Sequence, residues 1–195
     1  MPKAFLFNGI ITLQKLFGGY MKNVLVVIDM QNDFIDGSLG TKEACKTVDP
    51  VIRLIETSDD TVFATLDTHG LDYLSTLEGK KLPVEHCIKD TKGWKIKTEI
   101  LDALNKKNCT YIEKPTFGSF DLVEKVAALN PDKITLCGLC TDICVISNAL
   151  LLRAKMPNTT IEVIRDACAG TTVENHEAAL TAMKSCQIDV LEEAL

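Results

Sequence analysis

The chain has 195 residues, of which 46% are hydrophobic and 25% are charged, as in an ordinary globular protein of one domain. Its net charge of −6 argues against nucleic acid or an anionic membrane surface as its main partner. Eight cysteines are too few at this length for a disulfide-stapled scaffold. Several of them lie inside apolar runs, namely Cys109, Cys137, Cys168 and Cys186. We therefore expect a reduced, cytoplasmic protein.

Residues 1–20 differ in pattern from the rest of the chain. Their apolar run is interrupted by Asn8 and Gly9, and no small-residue cleavage site follows, so a signal peptide is not predicted. The run is also too short to span a bilayer. Met21 directly precedes a strong strand pattern and resembles a natural start. We predict that residues 1–20 are a leader outside the fold, from a mis-called start or added to the chain, and that residues 21–195 form a single domain.

From residue 23 onward, short apolar runs typical of strands alternate with segments of helical periodicity. The predicted strands are 24–28, 61–66, 110–112, 133–137, 160–164 and 188–191, and the predicted helices are 41–56, 97–105, 119–129, 142–155 and 173–185. Strands that are apolar throughout, rather than alternating, indicate a parallel sheet covered by helices on both faces. In such α/β sheets, ligands bind at the carboxyl ends of the strands.

Three chemically useful side chains follow different predicted strands. Asp29 follows the first strand, Lys114 the third, and Cys144 comes shortly after the fourth. A cysteine at the first turn of a helix gains from the positive end of the helix dipole, which would stabilise a thiolate. Together the three could supply a nucleophile, a proton acceptor and a cation. Taken singly, they could equally be a turn cap, a surface lysine and a small buried hydrophobe.

A second group of side chains follows the second predicted strand. Asp67 and His69 stand two positions apart, and Glu78 and His86 lie further along the same long loop. Two imidazoles and two carboxylates make a plausible site for zinc, iron or manganese. The remaining histidine, His176, looks like a residue on a helix surface.

The segments VVIDMQNDF, EKPTFGSF and GLCTDICV, in this order, resemble the isochorismatase-like cysteine hydrolases, a superfamily that includes nicotinamidases. The resemblance implies a three-layer α/β/α domain with a six-stranded parallel sheet, and a catalytic triad of Asp29, Lys114 and Cys144. It further implies an oxyanion hole formed by the backbone N–H groups of Cys140 and Cys144. A cis peptide bond would precede Cys140.

The group of candidate metal ligands favours the nicotinamidase branch of the superfamily, because isochorismatases proper lack this metal site. By resemblance, Asp67, His69 and His86 bind a divalent metal ion, zinc first of all, and Glu78 takes the place of a further histidine found in many nicotinamidases. The family's stacking tryptophan before the second histidine is replaced by a Leu-Pro pair. The candidate substrate-binding aromatic residues are Phe34 and Trp94.

The sequence thus predicts a metal-containing amidohydrolase of nicotinamide that works through a Cys144 thioester. Two alternatives stay open: a hydrolase of another small amide or ureide on the same triad, and an inactive metal-binding module. We expect a small amide as substrate, a homo-oligomer, and neither nucleic acid nor membrane as partner.

Overall fold

A computed structural model describes residues 22–193, so the prediction for the leader lies outside the described residues. The strands are β1 Asn23–Ile28, β2 Thr61–Asp67, β3 Thr110–Lys114, β4 Lys133–Leu139, β5 Thr160–Ala169 and β6 Asp189–Leu191. The α-helices are α1 Asn32–Ile35, α2 Lys42–Lys46, α3 Val48–Thr57, α4 Leu77–Lys81, α5 Thr98–Asn105, α6 Phe120–Ala128, α7 Ile146–Lys155 and α8 Val173–Ser185. A 3₁₀ turn at Tyr73–Ser75 precedes α4, and a π-helical turn at Thr141–Val145 precedes α7.

The strands form one six-stranded sheet in the order β3-β2-β1-β4-β5-β6, and every pair of neighbours is parallel. Helix α3 packs against α5, and α7 packs against both α6 and α8. The predicted three-layer α/β/α fold with a six-stranded parallel sheet is therefore confirmed. The chain runs from β1 outward to β3 and then returns to the other side of β1, which makes the gap between β1 and β4 the switch point where such sheets bind ligands.

The core lies where the central strands pass between the two helical layers. In β1, residues 24–28 are all buried, and β4 is buried from its second residue to its last. This is why the buried residues of these strands are mostly apolar: a strand covered on both faces has no side that meets water. The carboxyl ends of these strands carry the polar groups described below.

Several predicted elements differ from the observed ones at their ends. The helix predicted at 41–56 is two helices, and Pro50 lies in the first turn of the second, where its missing N–H is not needed. Strands β2, β3, β4 and β5 each extend one to five residues beyond the predicted carboxyl end. The extensions matter for function because Asp67 and Lys114 become the last residues of adjacent strands and pair in register.

Gly138 is required where β4 approaches β1. Its φ is +117°, and a Cβ there would overlap the backbone of Ile28, its partner in the sheet. We expect Gly138→Ala to lower the free energy of unfolding by about 3 kcal/mol or more, because it combines backbone strain with a clash against backbone atoms. Urea unfolding measures this loss. Gly70→Ala is the matched control, since a Cβ there meets only the carboxylate of Asp72 at 2.6 Å, which can rotate away.

Candidate active site

The structure brings Asp29, Lys114 and Cys144 together at the carboxyl edge of the sheet. The Lys114 Nζ atom lies 2.6 Å from Asp29 Oδ2 and 3.5 Å from Cys144 Sγ. All three residues are buried, at 0%, 1% and 4% exposure respectively. The three side chains are separated by 30 to 115 positions along the chain, and they meet because parallel strands end at one edge.

The backbone and a neighbouring strand fix the Asp29 carboxylate. Asp29 has a φ of 47°, which turns the chain sharply as it leaves β1. Its N–H donates to both the carbonyl and the hydroxyl oxygen of Thr65 on β2, each at 3.2 Å. The Thr65 hydroxyl in turn donates to Asp29 Oδ1 at 2.6 Å. One carboxylate oxygen is thus held by Thr65, and the other faces Lys114.

Burial sets the protonation preferences of this cluster. It raises the pKa of Asp29, although the Lys114 ammonium opposes the shift. Burial and the negative charge of Asp29 raise the pKa of the Cys144 thiol well above its usual value, with Lys114 again opposing. Burial at this site therefore opposes the thiolate that the start of a helix would stabilise. A neutral thiol beside a carboxylate of raised pKa suits proton transfer between the two.

Lys114 also connects this cluster to the second one. Its Nζ atom donates to Asp67 Oδ1 at 3.2 Å and to the carbonyl of Thr116 at 3.1 Å. Burial opposes ionisation of Asp67, but the contacts with His69 and Lys114 outweigh it and lower the pKa of its carboxyl group. Asp67 therefore faces Lys114 with one oxygen and leaves the other for the histidines.

Asp67, His69 and His86 form a buried cluster of potential metal ligands. Asp67 Oδ2 lies 2.9 Å from His69 Nε2 and 3.6 Å from His86 Nε2. For bonds of about 2.1 Å, ligand atoms stand about 3.0 Å apart in octahedral and about 3.4 Å apart in tetrahedral coordination. The observed separations match the spacing that one shared divalent ion requires.

The donor atoms of the two imidazoles are also free to coordinate. His69 Nε2 is buried and makes no hydrogen bond, although Asp67 Oδ2 is 2.9 Å away. The Nδ1–H of His86 donates to the carbonyl of Val84 at 2.8 Å, which leaves a lone pair on Nε2. An unpartnered nitrogen inside an acidic pocket is what a metal site looks like without its ion, so the residues present fit a divalent metal.

Glu78 lies close to this cluster but is less buried. Its Oε1 atom stands 3.6 Å from His69 Nε2 and 3.7 Å from His86 Nε2, on a side chain that is 20% exposed. The position at the start of α4 follows from the N-cap Thr76, whose hydroxyl accepts the N–H of Gly79. Its assignment as the fourth ligand stays a prediction.

A cavity of about 240 Å³ joins the two clusters. It is lined by Phe34, Leu39, Thr41, Ala44, Asp67, Glu78, Leu82, His86, Phe117, Cys140, Ile143, Cys144, Gly170 and Thr171. Its size suits a small molecule rather than a polymer. Phe34 forms part of the wall, with its ring centroid 5.6 Å from that of His86. Cys140 lines the same cavity, and the peptide bond that precedes it is cis.

Trp94 does not reach this cavity. It lines a separate groove at the β3 edge of the sheet, with Leu66 and Tyr111, and its indole N–H donates to Thr68 Oγ1 at 2.9 Å. The structure therefore does not place Trp94 where it could hold a substrate beside Cys144. The aromatic side chains that do line the cavity are Phe34 and Phe117.

Sequence reasoning missed two buried amides that hold the site in place. The Gln31 side chain accepts the N–H of Asp67 and donates to its carbonyl, both at 2.8 Å, which fixes the backbone of a metal-ligand candidate. Asn148 on α7 donates to the carbonyl of Cys144 at 2.8 Å and accepts the N–H of Ser119 at 2.9 Å. Two sequence signals were available. Gln31 is a polar residue within the segment VVIDMQNDF, and Asn148 is a polar residue inside an apolar predicted helix.

The prediction that His176 lies on a helix surface was also wrong. His176 is half-buried rather than on the helix surface, and its Nδ1 atom lies 2.8 Å from the hydroxyl oxygen of Thr141. Thr141 belongs to the turn that carries Cys144. A lone histidine in a helix gives no sequence signal for a contact of this kind.

Comparison with known proteins agrees with this geometry. The isochorismatase domain model matches residues 23–194. This chain belongs to the isochorismatase family. The solved structure of nicotinamidase/pyrazinamidase PncA from Bacillus subtilis is 30% identical with a TM-score of 0.78, over 88% of this chain and 100% of that one.

Two further solved structures are informative. Pyrazinamidase of Pyrococcus horikoshii in complex with zinc is 25% identical with a TM-score of 0.71, over 87% of this chain and 98% of that one. N-carbamoylsarcosine amidase from Thermoplasma acidophilum is 31% identical with a TM-score of 0.72, over 89% of this chain and 99% of that one. The predicted family and class of enzyme, a hydrolase of amide bonds, are confirmed. Among residues 22–193, no helix has the length and apolar character needed to cross a membrane.

Proposed function

We propose that this chain is a nicotinamidase, which hydrolyses nicotinamide to nicotinate and ammonia. One observation carries the proposal: Cys144, which is grouped with Asp29 and Lys114, lines the same small cavity as Asp67 and His86 of the candidate metal cluster. Asp29, Lys114 and Cys144 supply the groups that hydrolyse an amide. The Asp67–His69–His86 cluster supplies a site beside them that can hold the substrate in place. The likeness to the Bacillus subtilis nicotinamidase/pyrazinamidase supports this choice of substrate.

The chemistry begins with proton transfer from the Cys144 thiol to Asp29. The sulfur attacks the amide carbon, and the backbone N–H groups of Cys140 and Cys144 stabilise the resulting oxyanion. Asp29 returns the proton to the nitrogen as the C–N bond breaks, so ammonia leaves and a thioester remains on Cys144. Water then attacks the thioester with Asp29 as base, nicotinate leaves, and the thiol is restored. Lys114 stabilises the anionic form of Asp29 between these transfers.

Asp67, His69 and His86, with Glu78 as the fourth ligand, would hold the divalent metal ion, and zinc suits these nitrogen and oxygen donors. When bound, the ion supplies a Lewis acid for the pyridine nitrogen, directly or through water. Phe34 packs beside His86 and limits where an aromatic ring can lie. Positioning of this kind contributes to rate by fixing the amide carbon near the sulfur.

The direct test is ammonia release from nicotinamide by the purified protein, before and after treatment with a chelator. We expect release that falls on metal removal and returns when zinc is added. Absence of release from metal-loaded protein would contradict nicotinamide as the substrate.

A second candidate is hydrolysis of another small amide or ureide on the same triad. The 31% identity to N-carbamoylsarcosine amidase favours it, as does a cavity without a tryptophan. A panel of nicotinamide, pyrazinamide and N-carbamoyl amino acids separates the two candidates by their kcat/KM values. Preference for a carbamoyl compound would select the second candidate.

Lys114→Met should lower kcat/KM by about 10³-fold or more, because it removes the cation between two buried carboxylates. Without the Lys114 ammonium, which opposes the shift, the pKa of Asp29 rises further, so a smaller fraction of Asp29 is ionised and able to act as a base. The remaining activity should therefore increase toward higher pH relative to the wild type. Lys89→Met is the control, because this lysine is exposed and forms an ion pair with Glu113. Equal kcat/KM in both variants would contradict the role of Lys114.

A further inference from the structure

The turn that carries Cys144 is held from outside by residues 170–176, which comprise the loop after β5 and the first turn of α8. The first contact is the hydrogen bond shared by His176 Nδ1 and Thr141 Oγ1, whose atoms are 2.8 Å apart. Thr141 is fully buried, at 0% exposure, so its hydroxyl has no access to water. A buried hydroxyl without a partner is costly, which makes this single contact important for the local conformation.

The second contact lies one residue further along the turn. The carboxylate of Asp142 accepts the N–H of Thr171 at 2.9 Å and its hydroxyl at 2.5 Å. Thr171 and Gly170 also line the cavity. At Gly170, a Cβ would meet the backbone nitrogen of His176 at 2.8 Å, so the segment folds tightly against the start of α8. Two successive residues of the turn are thus tied to one external segment.

This turn and the residue before it carry the groups that the proposed chemistry uses after β4, namely the Cys144 sulfur and the backbone N–H groups of Cys140 and Cys144. The carbonyl of Cys140 accepts the N–H groups of Ile143 and Val145, both at 3.1 Å, which gives the turn its π-helical shape. The sulfur of Cys144 and the N–H groups assigned to the oxyanion lie on the same short stretch. A displacement of about 1 Å between such groups can cost about 10²-fold in rate.

We propose that His176 is a positioning residue: its hydrogen bond to Thr141 orients the turn that presents Cys144 and the oxyanion N–H groups. The inference rests on the proposed hydrolase mechanism but not on the identity of the amide. His176 itself does not line the cavity that contains Cys144. Its effect on the reaction therefore passes through Thr141.

The test compares His176→Ala with His176→Asn, because an asparagine amide can place a polar atom near the position of Nδ1. We expect His176→Ala to lower kcat by about 10- to 100-fold with KM changed less than about threefold, as for a misplaced nucleophile. His176→Asn should recover most of the loss. Glu177→Ala is the matched control, since Glu177 is the next residue of α8, pairs with Arg165 and should keep its kcat.

A second measurement does not depend on the substrate. The rate at which iodoacetamide alkylates Cys144, followed by peptide mass spectrometry, should fall in His176→Ala and recover in His176→Asn. Thr141→Val removes the same hydrogen bond from the other side, and the double variant should be no slower than the worse single variant. It also serves if His176→Ala fails to fold.

Wild-type kcat and alkylation rate in both folded single variants would overturn the proposal. A loss that Asn does not recover, together with a lowered Tm, would also overturn it, because it would mark a purely structural role. If nicotinamide is not hydrolysed at all, the alkylation rates still decide on His176, so the two failures are distinguishable.

Discussion

Cys144→Ala should abolish amide hydrolysis, with kcat falling by at least about 10⁴-fold. The change removes the sulfur that lies 3.5 Å from Lys114 Nζ and that forms the thioester in the proposed mechanism, and the remaining Asp29–Lys114 pair cannot replace it. Cys144→Ser should be nearly as inactive, because a serine hydroxyl is far less acidic than a thiol and Asp29 is a weak base. Ammonia release under saturating substrate measures both. Mass spectrometry of the wild type after rapid quenching should detect the thioester.

The control for this result uses a cysteine outside the site. Cys186 is exposed and lies at the end of α8, so Cys186→Ala should retain wild-type activity. Activity well above background in Cys144→Ala would rule out the covalent mechanism. The control variant separates this outcome from a general effect of losing a thiol.

The main effects of His86→Ala should be the loss of most of the bound metal and a higher KM. The stability of the protein should be affected less. The change deletes the imidazole whose Nε2 lone pair is oriented by the Val84 carbonyl. The candidate ligands that remain are Asp67, His69 and the partly exposed Glu78. Since outer-shell changes alone cost about 10- to 100-fold in metal affinity, loss of a ligand should cost more. Elemental analysis after dialysis against a buffered zinc solution measures the metal content of the variant.

Tyr73→Phe is the matched control for the metal site. The Tyr73 ring packs 4.7 Å from His69 and 5.0 Å from His86, while its hydroxyl donates to the Leu82 carbonyl at 2.9 Å. The phenylalanine variant keeps the packing and all candidate ligands, so its metal content should match the wild type. Unchanged metal content in His86→Ala would show that the ligand assignment is wrong.

The sequence by itself determined the sheet and the identity of its chemically active strand ends. Strands that are mostly apolar and do not alternate with polar residues are typical of a sheet covered on both faces, so the parallel sheet could be predicted from composition and periodicity. Because parallel strands end at a common edge, Asp29, Lys114 and Cys144 could be grouped although they are far apart in the chain. The motif segments then restricted the function to one family, and the structure places the three side chains in contact.

Only the tertiary structure decided which loop residues reach the cavity and in which direction burial and neighbouring charges shift the pKa values of the site. Trp94 lies in a loop whose path no periodicity fixes, and it turned out to face a different groove. His176 gave no signal because its contact with Thr141 spans two elements that meet only after packing. Burial raises the pKa of the Cys144 thiol, and that burial arises only when the surrounding elements pack together. Desolvation and loop paths depend on the packed assembly of many elements, whereas strand ends depend on local pattern.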